Sequence, residues 1–383
     1  FLNELTLNTL FMEKKRVYWI DGLKLIACIC VFFSHYQGVF FEKCQIKPEY
    51  HWLLQSFLAS SFNLFKNGNL WMCMFCVISG YFAAKKEIKD LKALGKAIIM
   101  RYLRFLLPLL VVNISALLIA NTIGFPNQQY GEILTNTWVS GYYNFKITLW
   151  IAVRASIKLS SELNSPLWMI YPLFIGTCLI YVYKYLCNKC NTKLINIIVC
   201  VVWVVLLVAF PSVHACYLYT VITMFGCILK AICDKEVIKW RNPMLHILVL
   251  AILLFMIGYG QNYILGQMKK YMLIPDYTVN YLNGIYAIIF LMVVHNFDGI
   301  KKFLETKWMR KGKDLSFGIY VTHWLVIFSV SLYVYGWLIK RVNVTMAFWV
   351  DLLITSVIVF LLANLFHKIV EKRIEWLLQK VQK

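Results

Sequence analysis

Acidic residues are scarce in this chain: 18 Asp and Glu stand against 39 Lys and Arg in 383 residues, a formal net charge of +21. Charge of either sign is also thin, at 15% of residues, whereas 61% are hydrophobic and the mean hydropathy is +0.66. A soluble domain rarely has interior enough to hide that much apolar surface, so a membrane domain is the better reading. No second cysteine pair accompanies Cys187 and Cys190 in "CNKCNTK", and most of the 12 cysteines lie in apolar runs, where Cys behaves as a small hydrophobe; no metal site is expected. The two halves of the chain share no evident repeat, which argues against a transporter built from inverted repeats. The first apolar run has no small-residue cleavage pattern behind it and is read as a retained helix.

What is present is a series of apolar segments of about 20 residues, the length that crosses a bilayer. They fall at 18–41, 69–84, 103–123, 167–186, 194–210, 213–231, 244–264, 279–297, 315–337 and 347–367. The expected fold is an all-α polytopic membrane protein of about ten transmembrane helices. Counting Lys and Arg in alternate loops places 28 on one side, 10 on the other and Lys24 within the first span. Basic loops stay inside, so both termini are expected to be cytoplasmic. The same placement accounts for the positive charge by topology, and nucleic acid is not an expected partner. Residues 1–16 read as a cytoplasmic N-terminal segment in which Met12 is a more natural start than Phe1. Residues 17–368 read as one membrane domain and 369–383 as a basic cytoplasmic tail, an amphipathic helix on the inner surface with no soluble domain after it.

The first apolar run, "WIDGLKLIACICVFFSHY", carries Asp21, Lys24 and His35. Lys24 and His35 are 11 residues apart, about three turns and roughly 16 Å along one helix face, and Asp21 lies one turn below Lys24 on that face. Polar groups stacked on one stripe of a spanning helix point into the bundle, since facing lipid costs several kcal/mol per charge. A purely structural alternative pairs Asp21 with Lys24 at the inner interface and leaves His35 capping the outer end.

This stretch resembles the opening of the acyltransferase 3 family of membrane O-acyltransferases, in which a basic residue, ten residues and a histidine share the first helix. Further landmarks follow in the family's order. "FCVISGYFAAKK" is similar to the Ser-Gly ending of its second helix, at Ser79 and Gly80. Arg101 and Arg104 in "MRYLRFLLP" match its Arg-x-x-Arg motif at the cytoplasmic start of the third helix. "SPLWMIYPLF" resembles its Pro-Leu-Trp segment, and "SFGIYVTHWLVIF" its Ser-x-x-x-Tyr-x-x-His helix, at Tyr320 and His323. One departure is clear: Met169-Ile170-Tyr171-Pro172 follows Pro166-Leu167-Trp168 where many members carry carboxylates, so no catalytic carboxylate is carried over there.

The resemblance implies transfer of an acyl group, acetyl above all, from acyl-CoA to a hydroxyl of a carbohydrate or lipid-linked glycan, in a bacterial-type cell membrane with lipids as its surroundings. It implies no tightly bound cofactor, acyl-CoA being a substrate. Neutral imidazole suits the removal of a hydroxyl proton near pH 7, which makes His35 the candidate base, with Lys24 and Asp21 as further candidate catalytic residues in the same column. Arg101 and Arg104, at i and i+3, suit the phosphates of the donor. Ser79, Tyr320 and His323 are candidates for orienting the donor or the acceptor, with Tyr320 and His323 expected at the depth of Lys24. His295 and His214 read as interfacial residues, and Trp168 as part of an aromatic belt or a platform for a sugar ring. The rival readings are a polysaccharide or lipid-linked sugar flippase, which would also need a polar column, and an inactive sensor or assembly partner.

Overall fold

The structure, a computed structural model, describes residues 17–42, 67–134, 136–209, 215–235, 243–257 and 278–382, with isolated positions at 65, 263, 265–267 and 270. Among the described residues all regular structure is helical. In chain order the α-helices are α1 (Tyr18–Gln37), α2 (Gly68–Lys85), α3 (Leu91–Asn121), α4 (Asn127–Ile133), α5 (Thr137–Gly141), α6 (Leu149–Ile157), α7 (Ile170–Lys189), α8 (Thr192–Ala209) and α9 (Ala215–Lys235). There follow α10 (Pro243–Phe255), α11 (Thr278–Asn296), α12 (Asp298–Leu304), α13 (Lys307–Arg310), α14 (Gly312–Val326), α15 (Leu332–Leu338), α16 (Val344–Phe366) and α17 (Lys372–Gln382).

Seven described segments are long and apolar enough to cross a membrane: Tyr18–Phe40, Leu91–Asn121, Ser165–Lys189, Tyr217–Asp234, Val279–Asn296, Gly312–Leu338 and Val344–Val381. The sequence reading expected ten spans. A helix stands at each of the ten places, but α2, α8 and α10 are not among the seven, and Met244–Phe255 is a shorter apolar helix. Helix α2 is enclosed by α1, α7, α9 and α11. With protein on four sides, it can carry the partly buried Ser79 and the buried Tyr81 inside the bundle.

The close approach of α2 to α9 depends on two glycines. A Cβ on Gly80 would lie 1.8 Å from the Thr223 carbonyl oxygen, and one on Gly226 would lie 2.2 Å from the Tyr81 nitrogen. Both obstacles are backbone, so a methyl group cannot be absorbed by a side-chain rotation; small residues at such crossings let membrane helices approach closely. Gly80→Ala is therefore expected to destabilise the fold by about 1–3 kcal/mol, the cost of overpacking a close-packed interior. Thermal unfolding in detergent checks this, against Gly95→Ala, where a Cβ meets nothing within 4 Å. Gly22 has a related role in α1: its Cβ would lie 2.3 Å from the Leu304 carbonyl oxygen, so the Asp-Gly pair lets α12 lie against the first helix.

Three features differ from the sequence reading. Helix α3 starts at Leu91, capped by the Asp90 carboxylate accepting from the Ala93 N–H at 2.7 Å, a dozen residues before the apolar run. Arg101 and Arg104 consequently sit well inside this helix rather than at its start. The charged residues of the first turns are good helix formers and extend it past the apolar segment. Second, the stretch between α3 and α7, read as an outer loop, contains α4, α5 and α6. The end of α6 lies alongside the middle of α3: Asn113 Nδ2 donates to Ser156 Oγ at 2.9 Å and the Tyr102 hydroxyl to the Ile157 carbonyl at 2.8 Å. Third, the apolar face of α17, through Ile374 and Leu378, packs on Met100, Leu103 and Leu107 of α3.

Candidate functional site

The polar column of α1 divides into two environments. At its lower end Lys24 Nζ is 3.4 Å from Asp21 Oδ1 and 4.9 Å from the centroid of the Phe82 ring. Asp21 is buried and the Lys24 side chain is 26% exposed, so this pair lies at the rim of the bundle. At the upper end the ring of His35 faces that of His323 on α14, with centroids 5.4 Å apart and planes inclined by 31°. The edge of Trp324 meets His35 at 5.5 Å.

His323 is thus at the depth of His35 and not, as expected, of Lys24; spacing along one helix does not reveal its height against another. It is fully buried, with Nδ1 2.9 Å from the Ile319 carbonyl oxygen. One turn away, the buried Tyr320 hydroxyl donates to the Pro166 carbonyl. Asn164 Nδ2 donates to the Val321 carbonyl at 2.8 Å. The Pro-Leu-Trp segment, residues Ser165–Met169, is a 3-10 turn fastened in this way to the helix that carries His323. Above the imidazoles stands an aromatic group in which Trp138, Tyr142 and Phe328 all meet Trp324, at 5.3, 5.1 and 4.3 Å. Trp168 is set apart, edge-on to Tyr219 at 4.8 Å.

The second cluster is cationic. Arg101 turns inward: its guanidinium donates to Ser79 Oγ at 2.5 Å and stacks on Phe105 at 4.5 Å. Ser79 also pairs with Thr177 Oγ1 at 3.3 Å. Arg104 is exposed, so the two arginines differ in setting although they share one side of α3. Lys86 joins them over the ring of Tyr181, 5.4 Å from its centroid. Partial desolvation, followed by the charges of Arg104, Arg101 and Lys96, pushes the Lys86 ammonium below its ordinary value. Among the described residues no carboxylate pairs with Arg101, Arg104 or Lys86. Such a group of cations favours an anion.

The cationic and imidazole clusters are connected by side chains. Phe75 lies one turn from Ser79 on α2, and its ring is 6.4 Å from that of Tyr320, which is itself 6.4 Å from His323. Ser79, Phe75, Tyr320 and His323 therefore form a row from Arg101 to His35. His295 packs on Trp19 at 6.0 Å. His214 lies outside the described residues.

Two polar groups escaped the sequence reading. Asp351, fully buried in α16, accepts from the Tyr36 hydroxyl at 2.7 Å and from Ser331 Oγ at 2.6 Å, next door to His35 in the chain. An Asp inside the apolar run "WVDLLITSVIVFLL" was a usable signal, because ionisable residues in spans are costly. Glu162 pairs with Arg154 at 2.5 Å close to the Pro-Leu-Trp turn. That ion pair depends on the chain folding back beside α3, which no local pattern announces.

A family model described as an acyltransferase domain, that of the acyltransferase 3 family, matches residues 17–367. No curated protein and no solved structure matches the chain. The match covers most of the chain and takes in both clusters, and the chain belongs to this acyltransferase family.

Proposed function

We propose that this membrane acyltransferase takes an acyl group, acetyl in our reading, from acyl-CoA on the cytoplasmic side and places it on a hydroxyl of a carbohydrate or lipid-linked glycan. The observation that carries the proposal is the connected arrangement of an imidazole pair inside the bundle and, beside the basic loops, a cationic cluster with no carboxylate partners among the described residues. Arg101, Arg104 and Lys86 suit the phosphates of the donor, with the planar guanidinium forks giving bidentate contacts. The pantetheine arm then extends past Ser79 and Tyr320 toward His35, where the thioester and the acceptor hydroxyl meet.

His35 removes the hydroxyl proton as the oxygen attacks the thioester carbonyl, and CoA departs as the thiolate. Lys24 and Asp21 belong to the same helix face at the inner rim, and in this account they hold the inner end of α1 rather than touch the reacting atoms. The aromatic group around Trp324 offers apolar faces against which a sugar ring can stack. In this reading the protein works in a bacterial-type plasma membrane with both termini in the cytoplasm.

Incubation of purified protein with labelled acetyl-CoA and a panel of glycans tests the reaction. Label on a carbohydrate hydroxyl supports it; hydrolysis alone, or no turnover with any acceptor, counts against it. The orientation is tested by cysteine labelling. Positions within 85–100 and after Lys383 are expected to be protected from an impermeant reagent in intact cells, and positions within 124–134 to react. Labelling of the C-terminus from outside would put Arg101 and Arg104 on the wrong face for cytoplasmic acyl-CoA.

A further inference from the structure

The buried imidazole of His323 has one nitrogen accounted for and one not. A carbonyl oxygen can only accept, so the contact between Nδ1 and the Ile319 carbonyl puts the proton on Nδ1. In a neutral ring this leaves Nε2 with a lone pair. Nε2 is buried and has no hydrogen-bonding partner among the described residues, a condition that folded interiors seldom leave without a use. The other imidazole against the His323 ring is that of His35, at 5.4 Å between centroids. That spacing is close to that of two imidazoles joined by one N–H···N bond of about 2.9 Å, and catalytic hydrogen bonds often tighten only when substrate binds. The other rings against His323 are those of Phe32 and Tyr320, neither of which carries charge at neutral pH.

We propose that His323 is the positioning residue for His35, its Nε2 accepting from one His35 N–H so that the other His35 nitrogen presents its lone pair to the acceptor hydroxyl. The inference rests on the reading of His35 as the general base. The Ile319 carbonyl fixes the tautomer of His323, and His323 in turn fixes the tautomer of His35, as an oriented partner does in other base-assisted acyl transfers. The acceptor O–H bond breaks and its proton passes to the other nitrogen of His35. The oxygen forms a C–O bond to the acyl carbon, the C–S bond breaks, and the thiolate leaves with the electron pair and takes the proton back from His35. His323 gains and loses no proton; it holds the imidazolium through the hydrogen bond.

The test exploits the different reach of two amides. In His323→Asn the amide nitrogen can donate to the Ile319 carbonyl as Nδ1 does, but nothing stands at the position of Nε2. In His323→Gln the longer side chain offers its carbonyl oxygen near that position. With labelled acetyl-CoA and an accepting glycan, His323→Asn is expected to lower kcat on the order of 10–100-fold, the worth of a hydrogen bond to a charged group, with KM for acetyl-CoA unchanged. His323→Gln is expected to stay within about tenfold of wild type in kcat on the same grounds. In a His35→Ala background neither substitution should have a further effect. The opposite ranking, with Asn near wild type and Gln impaired, would mark His323 as structural and overturn the proposal, as would an undiminished loss in the His35→Ala background. If His323→Asn does not fold, the kcat of His323→Gln decides: near wild type supports the proposal and a collapse overturns it. A fully active His35→Ala enzyme removes the base itself and this proposal with it, whereas an inactive His35→Ala beside a fully active His323→Asn removes this proposal alone.

Discussion

His35→Ala is expected to give a folded, membrane-inserted protein in which acyl transfer falls by 10²–10⁴-fold, the usual worth of a general base. The side chain is half-buried, and Trp324, which meets it, is also held by other rings: it stacks on Phe328 at 4.3 Å and meets Trp138 and Tyr142. The fold therefore loses little. The acceptor hydroxyl, by contrast, must attack with its proton in place once the imidazole that receives it is gone. The measurement is kcat for labelled acetyl transfer beside wild type, with the detergent melting temperature recorded for both. A well-folded variant with near-normal kcat would make His35 a packing residue.

The second large effect concerns the donor. Replacing Arg101 and Arg104 together by Gln removes two charged donors from a cluster that has no carboxylate of its own among the described residues. KM for acetyl-CoA is expected to rise on the order of 100- to 1,000-fold, as follows from losing two hydrogen bonds to charged phosphate. The double change to Lys keeps the charge but loses the paired fork, and should fall between the two, at roughly tenfold. The settings of the two arginines differ, so their single variants should differ as well. Arg101→Lys also gives up the contact to Ser79 and is expected to lower thermal stability, whereas the exposed Arg104 should affect donor binding alone. Topology signals count Lys and Arg alike. A double Lys variant with unchanged KM would leave these arginines as positive-inside residues and nothing more.

Legibility of the sequence followed the range of the interactions. The membrane character and the places of the helices could be read from apolar runs, because hydropathy is a local property. The polar stripe of α1 was visible because the helical period fixes which residues share a face. The pairing of Asp21 with Lys24 was one of two readings of that stripe, whereas the place of His35 against another imidazole was not visible, since it depends on what α14 brings alongside. The meeting of His35 with His323 joins residues 288 positions apart, and its height along the bundle was misjudged when each helix was considered alone. The start of α3 was missed because a bilayer-length rule ends an apolar run at its first charges, while the helix continues through them. Short helices α4 to α6 have too few turns to display a period, and Tyr102 and Asn113 of α3 hold the end of α6 by hydrogen bonds that only the folded chain forms. The Ser-Gly motif contains two separate roles: Ser79 receives Arg101, and Gly80 admits the backbone of α9.

The most direct test of the account measures transfer and sidedness together. Inside-out and right-side-out membrane vesicles containing the protein are supplied with labelled acetyl-CoA, which does not cross the bilayer, and label is scored as alkali-labile ester on carbohydrate. The account predicts label on the acceptor in inside-out vesicles, none in right-side-out vesicles, and none in either with His35→Ala. Equal labelling in both orientations, or transfer that persists in the His35→Ala protein, would contradict it.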